Sequence, residues 1–280
     1  DDIARGLVAN PVEGAPGMVV VSRPIAPDSL DANKPVVYAP ITASAIVVGF
    51  NLEREMSLYT KDSDEIALTG VRVQNLNLTP RLLAKLLTQS YQSSVQVGGG
   101  DPGSSWLNGA PADLSKDPDF LQFNPEFQYL QVTNSRTFSG LQLPSGASDT
   151  ALTVWRYILS DPEAKAWLDG APDPWGMKVN PVYSTNASSN PTGAAFGVPE
   201  PNNFPKSDPY CFQRATLPSG LTPPLLCGTD WLPYTNGLVA AAQVARNAWD
   251  GARIAVNLTA PTVASIWGRE TPQFLGQRAM

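Results

Sequence analysis

The stretch that most constrains the fold runs from Leu141 to Gly170, LQLPSGASDTALTVWRYILSDPEAKAWLDG. It reads as a short apolar strand, a small-residue turn (Ser145, Gly146, Ala147, Ser148) and a helix opened by Asp149 and Thr150. A short oxygen side chain at Ser148 or Asp149 accepts a bond from a free N–H of the first turn, so either can be the N-cap. Leu152, Trp155, Ile158 and Leu159 recur at helical spacing and predict one buried stripe. A strand that feeds a Ser/Gly turn at a helix N-terminus directs several N–H groups and hydroxyls at one point. Such an arrangement can bind an anion. The same pattern also describes a well-capped helix with no ligand, and capping is the commoner use of these residues.

The segments around it alternate apolar strands with helices, which predicts an α/β fold. Gly17–Ser22 (GMVVVS) is a continuous β-branched run, read as a buried strand that ends at Ser22, Arg23 and Pro24. Polar residues at the C-terminal end of a buried parallel strand are where α/β sheets place ligands. Val36–Asn51 (VVYAPITASAIVVGFN) is too long for one ordinary strand and carries Pro40, so it reads as two strands with a bend, able to cross between two lobes. Asn77–Thr88 (NLTPRLLAKLLT) holds a helix with Thr79 as N-cap, Pro80 at its first position and Leu82, Leu83, Leu86 and Leu87 on its apolar face. The spacing further predicts a short helix and turn in Pro118–Phe127, strands at Leu130–Thr133 and Leu141–Leu143, and a helix over Asp161–Asp169. An Ala-rich helix over Thr235–Trp249 and a strand at Ile254–Asn257 complete the elements. Residues 171–235 show little periodicity and are rich in Pro, Asn, Ser and Gly; a loop region of that length is an elaborated surface or a binding region.

Composition removes several function classes. The 280-residue chain carries a net charge of −6 with 16% charged residues, which argues against nucleic acid as a partner. No apolar run approaches the length of a membrane span, so membrane insertion is not expected. Histidine is absent, which removes Ser–His–Asp and Cys–His nucleophiles and the commonest zinc ligand. No cofactor and no metal is expected. The acidic groups Asp62/Asp64/Glu65 and Asp161/Glu163 fall in loops or first helical turns, where they read as solvated or capping charges rather than catalytic pairs. The two cysteines, Cys211 and Cys227, flank a turn-rich loop. They read as a disulfide, with two free thiols as the alternative; closing a loop of about 15 residues stabilises by roughly 3 kcal/mol in the chain-entropy model. A disulfide implies an oxidising compartment, hence a secreted or cell-surface location. By spacing Trp155 and Trp167 are core residues, whereas Trp106, Trp175, Trp231 and Trp267 lie in loops.

Several stretches, in their order, resemble the phosphate-binding component of bacterial phosphate ABC transporters, in the version found in secreted actinobacterial proteins. VVVSRPI (Val19–Ile25) is similar to that family's first-lobe strand ending in Ser-Asp or Ser-Arg and Pro. YAPITASAIVVGFNLE (Tyr38–Glu53) is similar to its crossing segment, and LTPRLLAKLLT and FNPEF to the helix and Asn-Pro turn that follow. LQLPSGASDTALTVWRYIL occupies the position of the phosphate-gripping Ser-Gly-Thr turn. WLPYTNGLVAAAQVARNAWDG and SIWGRETPQFLGQRAM look like the return to the first lobe and its tail. The resemblance implies a two-lobed periplasmic-binding-protein architecture with long irregular loops. The first lobe would be residues 1–40 with 236–280, and the second 41–235. Ligand would sit between the lobes, gripped by Ser22 and Arg23 from the first and Ser145, Ser148, Asp149 and Thr150 from the second.

The sequence departs from that pattern in three places. Leu143 and Pro144 stand where the family has an Arg before the turn, with Arg136 a few residues upstream. Arg23 stands where it has an acceptor Asp. The strand–turn–helix that carries its first Ser/Thr grip is not found in these 280 residues, which begin after its place in the family's order. Two functions follow as expectations. One is an extracellular solute-binding module for phosphate or another small oxyanion, working without catalysis beside a membrane transporter or cell-surface protein. The other is a structural or adhesive cell-surface module that keeps the binding-protein fold with a degenerate ligand site. An enzyme is not expected.

Overall fold

A computed structural model describes residues 4–6, 13–14, 17–52, 54, 61–95, 105–129, 141, 143–144, 146–205, 234–235, 237–246, 254–256, 267–269 and 278–279. The chain divides into two compact units, Asp1–Val47 and Val48–Met280.

In the first unit the regular element given by its caps is a 3-10 turn at Pro27–Ser29, set by Pro27 at its first position. Ile25 is buried and its N–H donates to the Tyr38 hydroxyl at 2.9 Å. The two strand expectations differ from what is found here. Met18–Val21 and Pro35–Phe50 carry no ladder, and Met18, Val20, Val37 and Val47 are exposed rather than buried. A β-branched run expresses its preference only when a neighbouring strand supplies the ladder.

The second unit is organised by helices whose starts are chemically specified. Helix α1 (Ser63–Ile66) begins at Asp62, whose carboxylate accepts from the N–H groups of Asp64 and Glu65. Helix α2 (Pro80–Leu87) begins at Thr79, whose hydroxyl accepts from Leu82 N–H at 3.2 Å, with Pro80 at N1 as expected. It ends in a left-handed turn at Gln89 (φ 50°), where Ser90 N–H donates to the Lys85 carbonyl at 3.2 Å. Helix α3 (Pro118–Phe123) is capped by Asp117. Helix α4 (Asp149–Ser160) is capped by Ser148, and Asp161 then caps helix α5 (Pro162–Leu168). One more helix, α6 (Leu238–Arg246), lies within the expected 235–249, of which Thr235 belongs to a strand and 247–249 fall outside the described residues.

Helices α2, α4 and α5 pack against one another. The expected stripe of α4 is the one buried: Leu152, Trp155 and Ile158 lie inside, with Leu159 half-buried against them. Trp167 of α5 joins the same core, so both tryptophans assigned to it by spacing are there. Helix α2 is enclosed more completely than its apolar face requires, since Leu82 to Leu87 are all buried, Lys85 included.

The described strands are short. β1 (Asn51–Leu52) pairs antiparallel with β6 (Arg278–Ala279). β2 (Leu143–Pro144) runs parallel to β3 (Tyr234–Thr235), and β4 (Ile254–Val256) antiparallel to β5 (Trp267–Arg269). β4 lies within the strand expected at Ile254–Asn257, and β2 shares only Leu143 with the one expected at Leu141–Leu143; Leu130–Thr133 lies outside the described residues.

Residues 171–205 have no long helix or strand, as expected, yet they are closely tied to the helices. Buried Asn and Ser side chains serve backbone groups that no ladder satisfies. Ser184 hydroxyl donates to the Leu168 carbonyl at 2.9 Å, Asn190 Nδ2 to the Val182 carbonyl at 2.8 Å, and Asn180 N–H to Ser90 Oγ at 2.9 Å. Gly197 sits at φ 74°, where a Cβ would lie 2.5 Å from Pro201 Cγ, so this bend admits no side chain without rearrangement.

Candidate functional site

The turn before α4 is built by Gly146 at φ 90° and by an extended Ser148. Ser148 makes three hydrogen bonds within the protein. Its hydroxyl accepts from Ala151 N–H at 3.1 Å, its carbonyl from Leu152 N–H at 3.0 Å, and its own N–H donates to the Asn202 carbonyl at 2.8 Å. Segment 196–204 therefore lies against the start of α4. It is fixed further along by Trp155 Nε1 donating to the Asn203 carbonyl at 2.8 Å and by the Arg156–Glu200 ion pair at 2.6 Å. Trp155 meets Phe196 edge-to-face at 5.5 Å and Phe204 at 6.4 Å. Asp149 is exposed in the first turn, and Thr150 is half-buried. A carboxylate is favourable beside a helix N-terminus, and it repels any anion brought to the same place.

The second site is electrostatic and was not among the expected ones. Lys85 is 0% exposed, and its ammonium meets three carboxylates: Asp173 at 2.7 Å, Asp117 at 2.8 Å and Asp119 at 3.0 Å. Three N–H donors on one nitrogen match three acceptors. Arg81, one turn before Lys85 on α2, binds Asp119 through two nitrogens at 2.8 and 2.9 Å and reaches Glu163 of α5 at 2.6 Å. Tyr91 hydroxyl donates to Asp117 Oδ2 at 2.9 Å. The remaining Asp173 oxygen accepts from the N–H groups of Trp175 and Met177 at 3.0 and 2.8 Å. The cluster thus joins α2, α3, α5 and the 173–177 bend.

Within the cluster the three acids do not titrate alike. Burial pushes the Asp117 carboxyl above its usual range, against the opposing pull of Lys85. Asp119 is also penalised by burial, but the Arg81 hydrogen bonds and the Lys85 charge outweigh it and hold its carboxyl below the usual range. Burial, reinforced by Asp117, raises the Tyr91 phenol well above its ordinary value. Arg81 is held more firmly charged, chiefly by its hydrogen bond to Asp119. Perturbed groups of this kind also mark catalytic sites. Here every donor of the ammonium is directed at a carboxylate, which is the arrangement of a cross-link.

The residues expected to grip a ligand are distributed as follows. Ser22 (exposed) and Arg23 (half-buried) belong to the first unit; Ser148, Asp149 and Thr150 belong to the second. Ser145, Arg136, Cys211 and Cys227 lie outside the described residues. Sequence reasoning missed Lys85, Arg81, Tyr91, Asp117, Asp119 and Asp173. The available signal was a lysine inside the run LLAKLL, four residues after an arginine and so on the same face of the helix. Among the described residues no group of three His, Cys, Asp or Glu is placed to hold a metal, and no helix is long and apolar enough to cross a membrane. No family model, curated protein or solved structure matches the chain.

Proposed function

We propose that this chain is a non-catalytic structural or adhesive surface module, which uses its polar groups to hold its own irregular segments rather than a bound solute. The observation that carries this reading is the commitment of Ser148: its N–H donates to the Asn202 carbonyl, and its hydroxyl and carbonyl oxygens accept the first N–H groups of α4. Asp149 adds a negative charge where an oxyanion would approach. Absence of histidine from the sequence supports a role without acid–base catalysis at neutral pH. An extracellular location belongs to the same proposal and rests on a Cys211–Cys227 disulfide, which a mass measurement before and after reduction tests.

The second reading is a solute-binding module for phosphate or another small oxyanion, with the two-lobed α/β arrangement that the resemblance implies. It is favoured by the exposure of Gly146–Asp149 at the start of α4, the longest described helix. Calorimetric titration of the folded protein with phosphate and with sulfate at neutral pH separates the two. The first reading expects no binding heat from either anion. Micromolar binding that Arg23→Ala weakens by about 1.5–3 kcal/mol, the worth of a charged hydrogen bond, overturns it in favour of the second.

A further inference from the structure

The buried contact between Lys85 and Asp117 sets an amine nucleophile against an acyl group. Lys85 Nζ lies 2.8 Å from Asp117 Oδ2, and both side chains are 0% exposed. An ammonium and a carboxylate held out of water carry a desolvation cost that a neutral amine and a neutral acid escape. Asp117 is the acid of the three best placed for that exchange. Asp119 is gripped by two nitrogens of Arg81 at 2.8 and 2.9 Å, a fork that binds the ionised form. Asp173 turns one oxygen to the backbone N–H groups of Trp175 and Met177 and the other to Lys85. Asp117 carries Asp119 N–H on Oδ1 at 3.0 Å and the Tyr91 hydroxyl on Oδ2 at 2.9 Å, and burial favours its protonated form. A protonated carboxyl has a hydroxyl to lose. Pro118 follows it and has no N–H, so this carboxyl cannot close onto its own backbone as a succinimide.

We propose that Lys85 and Asp117 condense in the folded chain to an isopeptide bond, a covalent cross-link between α2 and the cap of α3. One ammonium proton passes to Asp117 Oδ2, leaving an amine beside a carboxylic acid. The Lys85 lone pair attacks Cγ; Nζ–Cγ forms, and the negative charge that develops on Oδ1 is met by Asp119 N–H. Asp173 Oδ2, 2.7 Å from the nitrogen, takes a second proton from it and returns that proton to the departing Oδ2 hydroxyl of Asp117. Cγ–Oδ2 then breaks and water leaves. The balance is one ammonium and one carboxylate giving one amide and one water, with no oxidant, metal or cofactor. One positive and one negative charge disappear together, so the net charge of the cluster does not change. The remaining amide N–H still has Asp173 as its acceptor.

Folding supplies what the same two groups lack in water. It holds amine and carboxyl in contact, and a small side-chain rotation brings Nζ to the near-attack distance of about 3–3.5 Å from Cγ. It also shields the product from hydrolysis, since Lys85, Asp117, Asp119 and Tyr91 are all 0% exposed. The ion-paired cluster described above is the reactant, and it persists in whatever fraction of the protein has not condensed. The bond closes a loop across the 32 positions between the two residues, and this link survives unfolding. The inference rests on the geometry of the cluster and does not depend on the proposed function.

Mass spectrometry of the whole chain tests it, after the folded protein has been held at neutral pH and then reduced and denatured. The intact mass is expected to fall short of the sequence mass by one water. Trypsin should then yield a branched peptide in which Leu82–Lys116, uncut at Lys85, is joined to Asp117–Arg136. Fragmentation of that peptide should place the branch at Asp117 and not at Asp119. Lys85→Met and Asp117→Ala should each show the full mass of their sequence. If either variant fails to fold, the branched peptide of the wild-type chain decides the matter alone. A wild-type chain of full mass, cut normally at Lys85, overturns the proposal. So does a water loss without the branched peptide, or a branch from Lys85 to Asp119 or Asp173.

Discussion

Replacing Lys85 by methionine removes one cation from among three buried carboxylates while keeping the length of the side chain. The structure shows where the loss falls. Asp119 keeps both hydrogen bonds to Arg81, at 2.8 and 2.9 Å. Asp117 keeps the Tyr91 hydroxyl at 2.9 Å and the Asp119 N–H at 3.0 Å, but no cation. Asp173 keeps two backbone N–H donors on one oxygen, and its other oxygen, 2.7 Å from the lysine, loses its partner. Breaking a buried ion pair by removing one partner costs about 3–5 kcal/mol, a large part of the roughly 5–15 kcal/mol that holds a domain folded. Relief comes when the stranded carboxyls bind protons. A carboxyl whose folded pKa is raised binds more protons folded than unfolded, so its contribution is full at acid pH and lost as pH rises. The Lys85→Met defect should therefore be larger at pH 8 than at pH 4. Urea unfolding followed by far-UV circular dichroism measures it at both values. Lys85→Met/Asp117→Asn/Asp173→Asn, which removes the stranded charges as well, should recover most of the loss. A defect under about 1 kcal/mol, the size of an exposed ion pair, or one that does not change with pH, refutes the reasoning.

The two neighbouring acids should respond to pH in opposite senses, which calorimetric melting at stepped pH reads directly. Asp119 has its folded pKa lowered, so its contribution is present above the ordinary carboxylate range near 3.9 and lost as pH falls through the lowered value. The penalty of Asp119→Asn should shrink towards acid pH. Asp117 has its folded pKa raised, so its contribution is lost as pH rises, and the penalty of Asp117→Asn should shrink towards neutral pH instead. Ser148→Ala removes the cap of α4 and should cost about 1 kcal/mol by urea unfolding, with Ser148→Asn nearly neutral. Gly197→Ala places a Cβ against Pro201 at a positive φ and should cost at least about 1–2 kcal/mol in the same assay.

The helices were legible because their signals are local. Thr79 with Pro80, Ser148 before Asp149 and Asp161 with Pro162 each announce a start within a few residues, and the 3.6-residue stripe of Leu152, Trp155 and Ile158 names the buried face. Gly17–Ser22 and Val36–Asn51 were misread because a β-branched run declares a preference and not a neighbour. Whether such a run is buried depends on a partner elsewhere. The charge cluster was illegible for a related reason. Lys85, Asp117 and Asp173 are separated in sequence by 32 and 88 positions from the lysine, and Asp117 looks locally like any helix cap before a proline. The candidate ligand turn was legible as a capped helix start. Its other meaning depended on which groups remain after folding: Ser148 donates its N–H to Asn202, and its hydroxyl and carbonyl oxygens accept the N–H groups of Ala151 and Leu152.

On the proposed reading, the polar groups at the start of α4 serve the protein itself. Residue-resolved hydrogen exchange, with and without phosphate, tests it most directly. Slow exchange is expected at Ser148, Ala151 and Leu152, whose N–H groups are bonded internally, with the same rates when phosphate is added. Fast exchange there without phosphate, slowed on its addition together with a change around Arg23, would contradict it and identify the turn as a ligand grip.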